Sequence, residues 1–371
     1  MALAILVNRR KLKGVQSFAA FGWEAAPVLI ARCLLMFRFL IAVSLSLSAS
    51  VASAQEPAPA AKGADGTKPS QILMISFDGA HDVRLWARSR AIAERADAHF
   101  TYFLSCTTLI PRARAEDYKA PGIKPGRSNI GFAASSDEVA VRLDHIWKAQ
   151  SEGHEIASHT CGHFDGKDWA KADWLKEFNT FDRVLTNAWK DNGLADREPQ
   201  GWADFVENDI TGFRAPYLSA PESLFQAERE HGFRYDASAV THDPTLPVMK
   251  NGLARFGLPL IPEGPKDRRI IAMDYNLFIR HSAGMDHPSK GDEFAERSYK
   301  AFKAAFETQY NGDRMPLQIG LHFVTMNGSA YWAAMERLVA EVCPRPDVAC
   351  VTYSEALDML QDRETDTTGA M

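Results

Sequence analysis

From residue 71 onward, short apolar runs and amphipathic stretches take turns along the chain. A chain patterned this way folds as an α/β domain around a parallel sheet. The runs "QILMISFD" (71–78), "HFTYFLSC" (99–106), "HEIASH" (154–159), "TGFRAP" (211–216), "FRYDAS" (233–238), "RIIAMDYNL" (269–277), "LQIGLHF" (317–323) and "VACVTYS" (348–354) read as strands. Helices are expected over 83–96, after the capping pair Ser135 and Glu138, over about 172–192, over 221–232, over about 330–342 and after 354. In the 172–192 stretch, Trp174, Phe178, Phe181, Leu185 and Trp189 share one face, and Gly193 ends it. Residues 107–134 have Pro and Gly and little periodicity, so they read as a long loop. There is no internal repeat and no second linker. One catalytic domain over 71–362 with a flexible tail over 363–371 is the simplest organisation. Asp78, His159, Arg214, Asp236 and His322 all stand at or near strand ends. In a barrel of parallel strands those ends converge on one face.

The chain has 371 residues, 46% hydrophobic and 24% charged, a normal globular composition. Residues 1–54 read as a secretory signal peptide whose true start is Met36. Arg38 supplies the basic region, Phe39–Leu47 the apolar run, and Ala52-Ser53-Ala54 the cleavage pattern before Gln55. The alternative, a membrane anchor, needs a span of ~20 apolar residues, longer than this run. Residues 55–70 ("QEPAPAAKGADGTKPS") read as a linker. Six of the 42 basic and one of the 47 acidic residues fall in 1–54, so the remainder carries a formal charge of −10. That charge argues against nucleic acid or an anionic membrane surface as partner. The expected location is periplasmic or secreted. Four cysteines remain after cleavage, and an even count in an exported chain points to two disulfides. Cys343 and Cys350 would close a small loop, which leaves Cys106 with Cys161. Buried free thiols are the alternative.

The stretch "GHEIASHTCGH" (153–163) places His159 and His163 four apart. Two imidazoles and a carboxylate are a common zinc set with an open position for water. Gly162 lies between them and a strand precedes, and Thr160 rather than Glu follows His159, so the pair caps a strand and its turn instead of lying on a helix. Taken alone, such a pair is more often two ordinary histidines than a metal site.

The stretch closely resembles the second motif of the polysaccharide deacetylases, the NodB-homology carbohydrate esterases. Three further stretches agree in order: "SFDGA" (76–80) with the first motif, "RAPY" (214–217) with Arg-x-Pro-Tyr, and "GLHF" (320–323) with the final histidine. "YDAS" (235–238) is similar to a Tyr-Asp-Ser-Ser found after the third motif. The resemblance implies a distorted (β/α) barrel of about seven parallel strands and a metal-dependent N-deacetylase acting on an acetylated polysaccharide or peptidoglycan-like polymer. It implies His159 and His163 as ligands of a divalent metal, zinc or cobalt. Asp78 is implied as the base that deprotonates the attacking water, with Arg214 holding that base. The backbone N–H of Tyr217 is implied to help stabilise the oxyanion, Asp236 to support the catalytic histidine, and His322 to protonate the leaving amine. In such a barrel Cys106 and Cys161 end neighbouring strands and can pair, bracing the loop between the metal histidines. The rival reading makes Cys161 a ligand.

Two positions depart from the pattern. The metal carboxylate is the second Asp of Asp-Asp, and here it is Gly79. Either the two histidines and water hold the metal, or Asp78 slips register and binds it, or a neighbour such as His81 or Asp82 substitutes, the bland view of both being exposed turn residues. Gly320 stands where many members place a bulky residue lining the acetyl pocket, so Leu321, Phe323 or another side chain is expected to replace it. Tyr275 and Trp332 fall near the expected mouth, where aromatic faces suit sugar rings, although core packing is the commoner fate. The run Lys266-Asp267-Arg268-Arg269 reads as a solvated turn. Acetyl esters can be cleaved by the same kind of site. Two other readings stay open: a carbohydrate-binding pseudo-deacetylase, motivated by Gly79, and a non-sugar amide hydrolase.

Overall fold

The computed structural model describes residues 68–369, with side chains to Arg363. The expected leader, residues 1–54, and all but the last three residues of the linker lie outside the described residues. Strand β1 (Gln71–Gly79) is buried along its whole length, and helix α1 (Val83–Ala96) follows it. Strand β2 (Thr101–Leu104) leads into the long loop, which carries only short helical turns, and then into α2 (Ser136–Ser151). Ser135 caps α2 by accepting from the Glu138 N–H at 3.3 Å. Strand β3 (Glu155–Ser158) comes next. The amphipathic stretch beyond it breaks at Asn187 into α3 (Lys171–Thr186) and α4 (Ala188–Asp191), and α5 (Trp202–Asn208) follows.

The middle of the chain supplies β4 (Gly212–Phe213), α6 (Glu222–His231) and β5 (Tyr235–Thr241). It then forms two antiparallel additions, β6 (Val248–Lys250) against β7 (Leu253–Glu263), and β8 (Arg268–Ile271) against β7. The chain turns between β7 and β8 at 264–267, and Arg268 and Arg269 open β8. Helices α7 (Asp274–Ser282) and α8 (Gly291–Asn311), strand β9 (Leu317–His322), helix α9 (Ala330–Val342), strand β10 (Val348–Cys350) and helix α10 (Tyr353–Gly369) complete it. Helix α10 runs through 363–369, the stretch read as a flexible tail. Residues 274–277, read as strand, are the first turn of α7.

Seven parallel strands form the wall in the order β9-β1-β2-β3-β4-β5-β7. Strand β10 pairs in parallel with the first residues of β1, on the edge that β2 takes further along. The wall closes where the segment after β8 meets β9: Gly320 donates its N–H to the Ala272 carbonyl at 2.9 Å, and Met273 bridges Gly320. This is the distorted (β/α) barrel expected from the sequence.

The period of two along each strand sorts the core into layers. On β1, Leu73, Ile75 and Phe77 face the surrounding helices and join the main core with Trp86, Tyr102, Phe323 and Trp332. Ile72 and Met74 face the other way, into a separate cluster with Phe103, Tyr235 and Phe256. Tyr353, Ala356, Leu357 and Leu360 of α10 belong to that inner cluster. Their i, i+3, i+4, i+7 spacing is one helical face, so α10 plugs the barrel interior. By the same alternation Ser76 and Asp78 point inward. Both expected disulfides are present, Cys106–Cys161 and Cys343–Cys350, so the Cys161 sulfur is bonded and is no metal ligand. Among the described residues no helix is long and apolar enough to cross a membrane.

Candidate active site

Strands β1 and β9 pair so that Asp78 stands opposite His322, both at the C-terminal end of the barrel. Arg214, just past β4, reaches across the interior and donates from Nη1 to Asp78 Oδ1 at 2.7 Å and to Ser76 Oγ at 2.9 Å. Its Nε donates to the Ala237 carbonyl at 3.0 Å, and its plane covers the Phe103 ring at 4.1 Å. Both partners of the ion pair are buried. Burial alone would raise the Asp78 carboxyl. The charges of Arg214 and His322, with the Arg214 hydrogen bond, outweigh it and hold the group below the ordinary carboxylate value.

His159 follows β3 directly. Its Nδ1 lies 2.7 Å from the Arg214 carbonyl oxygen, which can only accept, so Nδ1 carries the proton. Nε2 is then a bare lone pair, and it is buried with no partner. Burial foremost lowers this imidazole to about 3, and burial also lowers His163, so both rings are neutral near pH 7. Their centroids are 4.9 Å apart. The turn between them is strained, with φ of 59° at Thr160 and 54° at His163. It is held by the disulfide and by Glu177 of α3, whose Oε1 accepts from the Cys161 and Gly162 N–H groups at 3.0 and 3.3 Å and from the Tyr118 hydroxyl at 2.6 Å. A neutral imidazole with its second nitrogen fixed on a carbonyl and its first nitrogen orphaned fits a borderline divalent cation.

The third ligand is where the arrangement departs from a closed set. Among the described residues no group of three His, Cys, Asp or Glu side chains could hold a metal ion. Gly79 has φ +86°, and a Cβ there would sit 2.7 Å from Ile130 Cδ1 of the long loop. The space in which the resemblance expects a carboxylate is filled by a methyl group. The register slip is not taken, because Asp78 itself faces Arg214 and pairs with His322. Asp82 is committed elsewhere: it caps α1 by accepting from the Arg84 N–H at 2.8 Å and pairs with the Arg84 guanidinium at 2.7 Å. His81 keeps a buried, unpartnered Nδ1 that lies 3.6 Å from the Gly79 Cβ position.

His322 is held at two points by Asp274, the first residue of α7. Its Nδ1 lies 2.7 Å from Asp274 Oδ1, and its N–H donates to Oδ2 at 2.8 Å. Burial pulls the imidazole down, but the Asp274 charge and hydrogen bond and the Asp78 charge push it up to about 9, so it is protonated near pH 7. Reading 269–277 as a strand hid Asp274. The signal available was an acid next to the Met273 that ends the apolar run.

Asp236 does not support His322. Strand β5 is separated from β9 by β1–β4 on one side and by β7 and β8 on the other. The Asp236 carboxylate instead accepts from the Ser238 hydroxyl at 2.5 Å and the Ser238 N–H at 3.2 Å, and the Ser238 Oγ accepts from the Ala215 N–H at 2.7 Å. It therefore braces the 214–217 turn. Beside it lies Glu228, neither of whose oxygens meets a donor. Burial and the Asp236 charge push the Glu228 carboxyl well up, which favours its neutral form beside Asp236.

Leu321 does not line the mouth either. It is one residue out of phase with His322, so it faces the helices, as Phe323 does. Gly320 is the inward position, and a Cβ there would meet Met273 Cε at 2.8 Å and Leu258 Cδ2 at 3.6 Å. Those two side chains take the place of the missing bulky residue. Trp332 is core, its indole N–H donating to the His322 carbonyl at 3.0 Å. Tyr217 and Tyr275 are at the mouth, 60% and 51% exposed, with rings 5.2 Å from His163 and 6.1 Å from His322 respectively. Tyr217 has φ 59°, a strained backbone in the turn that follows Arg214.

No protein-family model and no curated protein matches the sequence. Solved structures do. A protein from Mycobacterium smegmatis assigned as a polysaccharide deacetylase aligns over 83% of this chain and 96% of its own, at 16% identity and a TM-score of 0.50. A protein from Pseudomonas aeruginosa PAO1 with the same assignment aligns over 79% and 90%, at 16% identity and 0.48. The peptidoglycan deacetylase PdaC from Bacillus subtilis aligns over 81% and 96%, at 11% identity and 0.42. The first likeness concerns architecture, and with the strand order above it makes this chain a distorted (β/α) barrel of the NodB deacetylase type.

Proposed function

We propose that the chain is an exported hydrolase that removes N-acetyl groups from amino sugars of a polysaccharide or peptidoglycan-like polymer. The observation that carries this reading is one pair of groups on adjacent strands: a carboxylate kept ionised, Asp78, and an imidazole kept protonated, His322. Two titratable groups pushed apart at one mouth are the signature of a base and an acid. The fold shared with the M. smegmatis protein supports amide hydrolysis as the reaction, and two disulfides agree with export.

His159 and His163 would hold a divalent cation, zinc or cobalt. When bound, it supplies Lewis acidity that polarises the acetyl carbonyl and acidifies water. Asp78 takes the proton of the attacking water, and Arg214 keeps Asp78 ionised and aimed. The backbone N–H of Tyr217 helps hold the developing oxyanion, as fixed dipoles do in acyl transfer. His322 gives its proton to the leaving amine, and Asp274 holds the imidazole in place for that step. The exposed rings of Tyr217 and Tyr275 offer apolar faces to sugar rings on either side.

A second reading, a sugar-binding protein without turnover, is favoured by one observation, the Ile130 methyl group in the place of a carboxylate beside Gly79. Incubation with N-acetylglucosamine oligomers and with peptidoglycan separates the two. The proposal expects acetate release with added zinc or cobalt, stopped by a chelator. Binding of the oligomers without any release favours the second reading.

A further inference from the structure

The catalytic pair stands on a polar column that runs down the barrel axis. Below Asp78 lies Arg214, and below Arg214 lies Tyr353, the first residue of α10. Arg214 Nη2 donates to the Tyr353 hydroxyl oxygen at 2.7 Å, and the Tyr353 hydroxyl donates to Gln318 Oε1 at 3.0 Å. A phenol has one proton. The hydroxyl points it at Gln318 Oε1, so the lone pairs of Tyr353 are left facing the guanidinium. The ring is fixed as well, stacked on Tyr235 at 5.4 Å and edge-on to Phe103 at 5.7 Å.

The foot of the column is Glu155, buried at the first residue of β3. Its Oε2 accepts from the Tyr353 N–H at 3.1 Å, the Ser354 N–H at 3.3 Å and the Thr101 hydroxyl at 2.8 Å, and its Oε1 accepts from the Ser354 hydroxyl at 2.6 Å. A carboxylate on the first N–H groups of a helix satisfies donors that the helix leaves orphaned. Here the carboxylate comes from a different element, so it pins the start of α10 to the sheet.

We infer that α10 is more than a plug, and that Tyr353, pinned by Glu155, is a positioning residue that sets the place of Arg214 and through it Asp78. Arg214 is the junction. Its side chain holds Asp78, and its carbonyl oxygen accepts a hydrogen bond from His159 Nδ1–H. Its guanidinium has only fixed acceptors around it, and the Tyr353 hydroxyl is the one on the α10 side. The link to turnover rests on the function proposed above. The link to Arg214 does not.

The test compares the full chain with Tyr353→Phe, which keeps the ring and removes the hydroxyl. The first readout is the side-chain nitrogen–proton spectrum of Arg214, which needs no activity. The expected result is a shifted Arg214 signal whose exchange with solvent speeds up about tenfold, because a buried protecting partner is gone. An unchanged Arg214 signal and exchange rate overturn the inference. The second readout is acetate release, where kcat falls about tenfold with KM unchanged, as misplacement of a catalytic group away from the substrate contacts does. Altered Arg214 exchange with an unchanged kcat overturns the positioning of Asp78. If the parent chain releases no acetate, the function proposal fails separately and the spectrum still decides the Tyr353–Arg214 link. Glu155→Gln, which spoils the foot of the column without touching Arg214, must move the same Arg214 signal in the same direction.

Discussion

Asp274 grips His322 by both ends of the same short segment, its Oδ2 on the His322 N–H and its Oδ1 at Nδ1. Against the pull of burial, this contact and the Asp78 charge together raise the imidazole from 6.5 to about 9. A raised folded-state value stabilises the fold fully below the ordinary value of 6.5, and that contribution is lost as pH rises through about 9. Asp274→Asn is therefore expected to lower the His322 titration toward 6.5, read by proton NMR of the ring. It is also expected to flatten the fall in melting temperature between pH 7 and pH 9.

Asp78→Asn removes the base and leaves Arg214 as an uncompensated buried charge. Turnover is expected to fall by about 10² to 10⁴, and stability by about 3–5 kcal/mol, as breaking one side of a buried ion pair does. Binding of zinc is expected to remain, since His159 and His163 are untouched. Loss of zinc binding in this variant, measured by calorimetry, would instead make Asp78 a ligand.

His159→Ala removes the orphaned Nε2 and should abolish zinc binding and acetate release together. His159, lowered to about 3, stays neutral between pH 7 and pH 6, so its share of zinc affinity in the parent chain should not weaken between them. Free histidines would lose ligand strength over that range. Calorimetry at the two pH values checks it.

Gly79→Ala meets two obstacles, a left-handed φ of +86° and the Ile130 Cδ1 at 2.7 Å. The expected loss is about 1–3 kcal/mol. Ile130→Ala in the same chain should recover the steric share and leave the backbone share. A double-mutant cycle by urea unfolding measures the two.

The α/β architecture was legible because apolar runs and amphipathic stretches alternate along the chain, while the distorted barrel came with the family resemblance. The structure brings Asp78, His159, His163, Arg214 and His322 to one end of the barrel; their place at strand ends and the family resemblance, not spacing alone, pointed to that set. What escaped was set by phase and by chain direction. Leu321 and His322 are neighbours in sequence but face opposite sides of one strand, so proximity misled. Asp274 was hidden because "MDYN" continues an apolar run, and only three-dimensional closure at Gly320 turns it toward His322. The hairpin of β6 and β7 carried a turn signal that went unused: Asn251-Gly252, with φ of 53° and 81°, between two β-rich runs. The stop at Gly79 was visible, but Ile130, 51 positions further along the chain, was not. The filling of that space depends on how the long loop folds back.

The most direct test of the account is the pH dependence of kcat/KM for acetate release from N-acetylglucosamine oligomers with saturating zinc, in the parent chain and in Asp274→Asn. An ionised Asp78 and a protonated His322 predict activity that holds from below neutrality up to a limb near 9, and in Asp274→Asn that upper limb moves to lower pH. A parent limb near 6.5, or an upper limb that ignores Asp274→Asn, would contradict His322 as the acid.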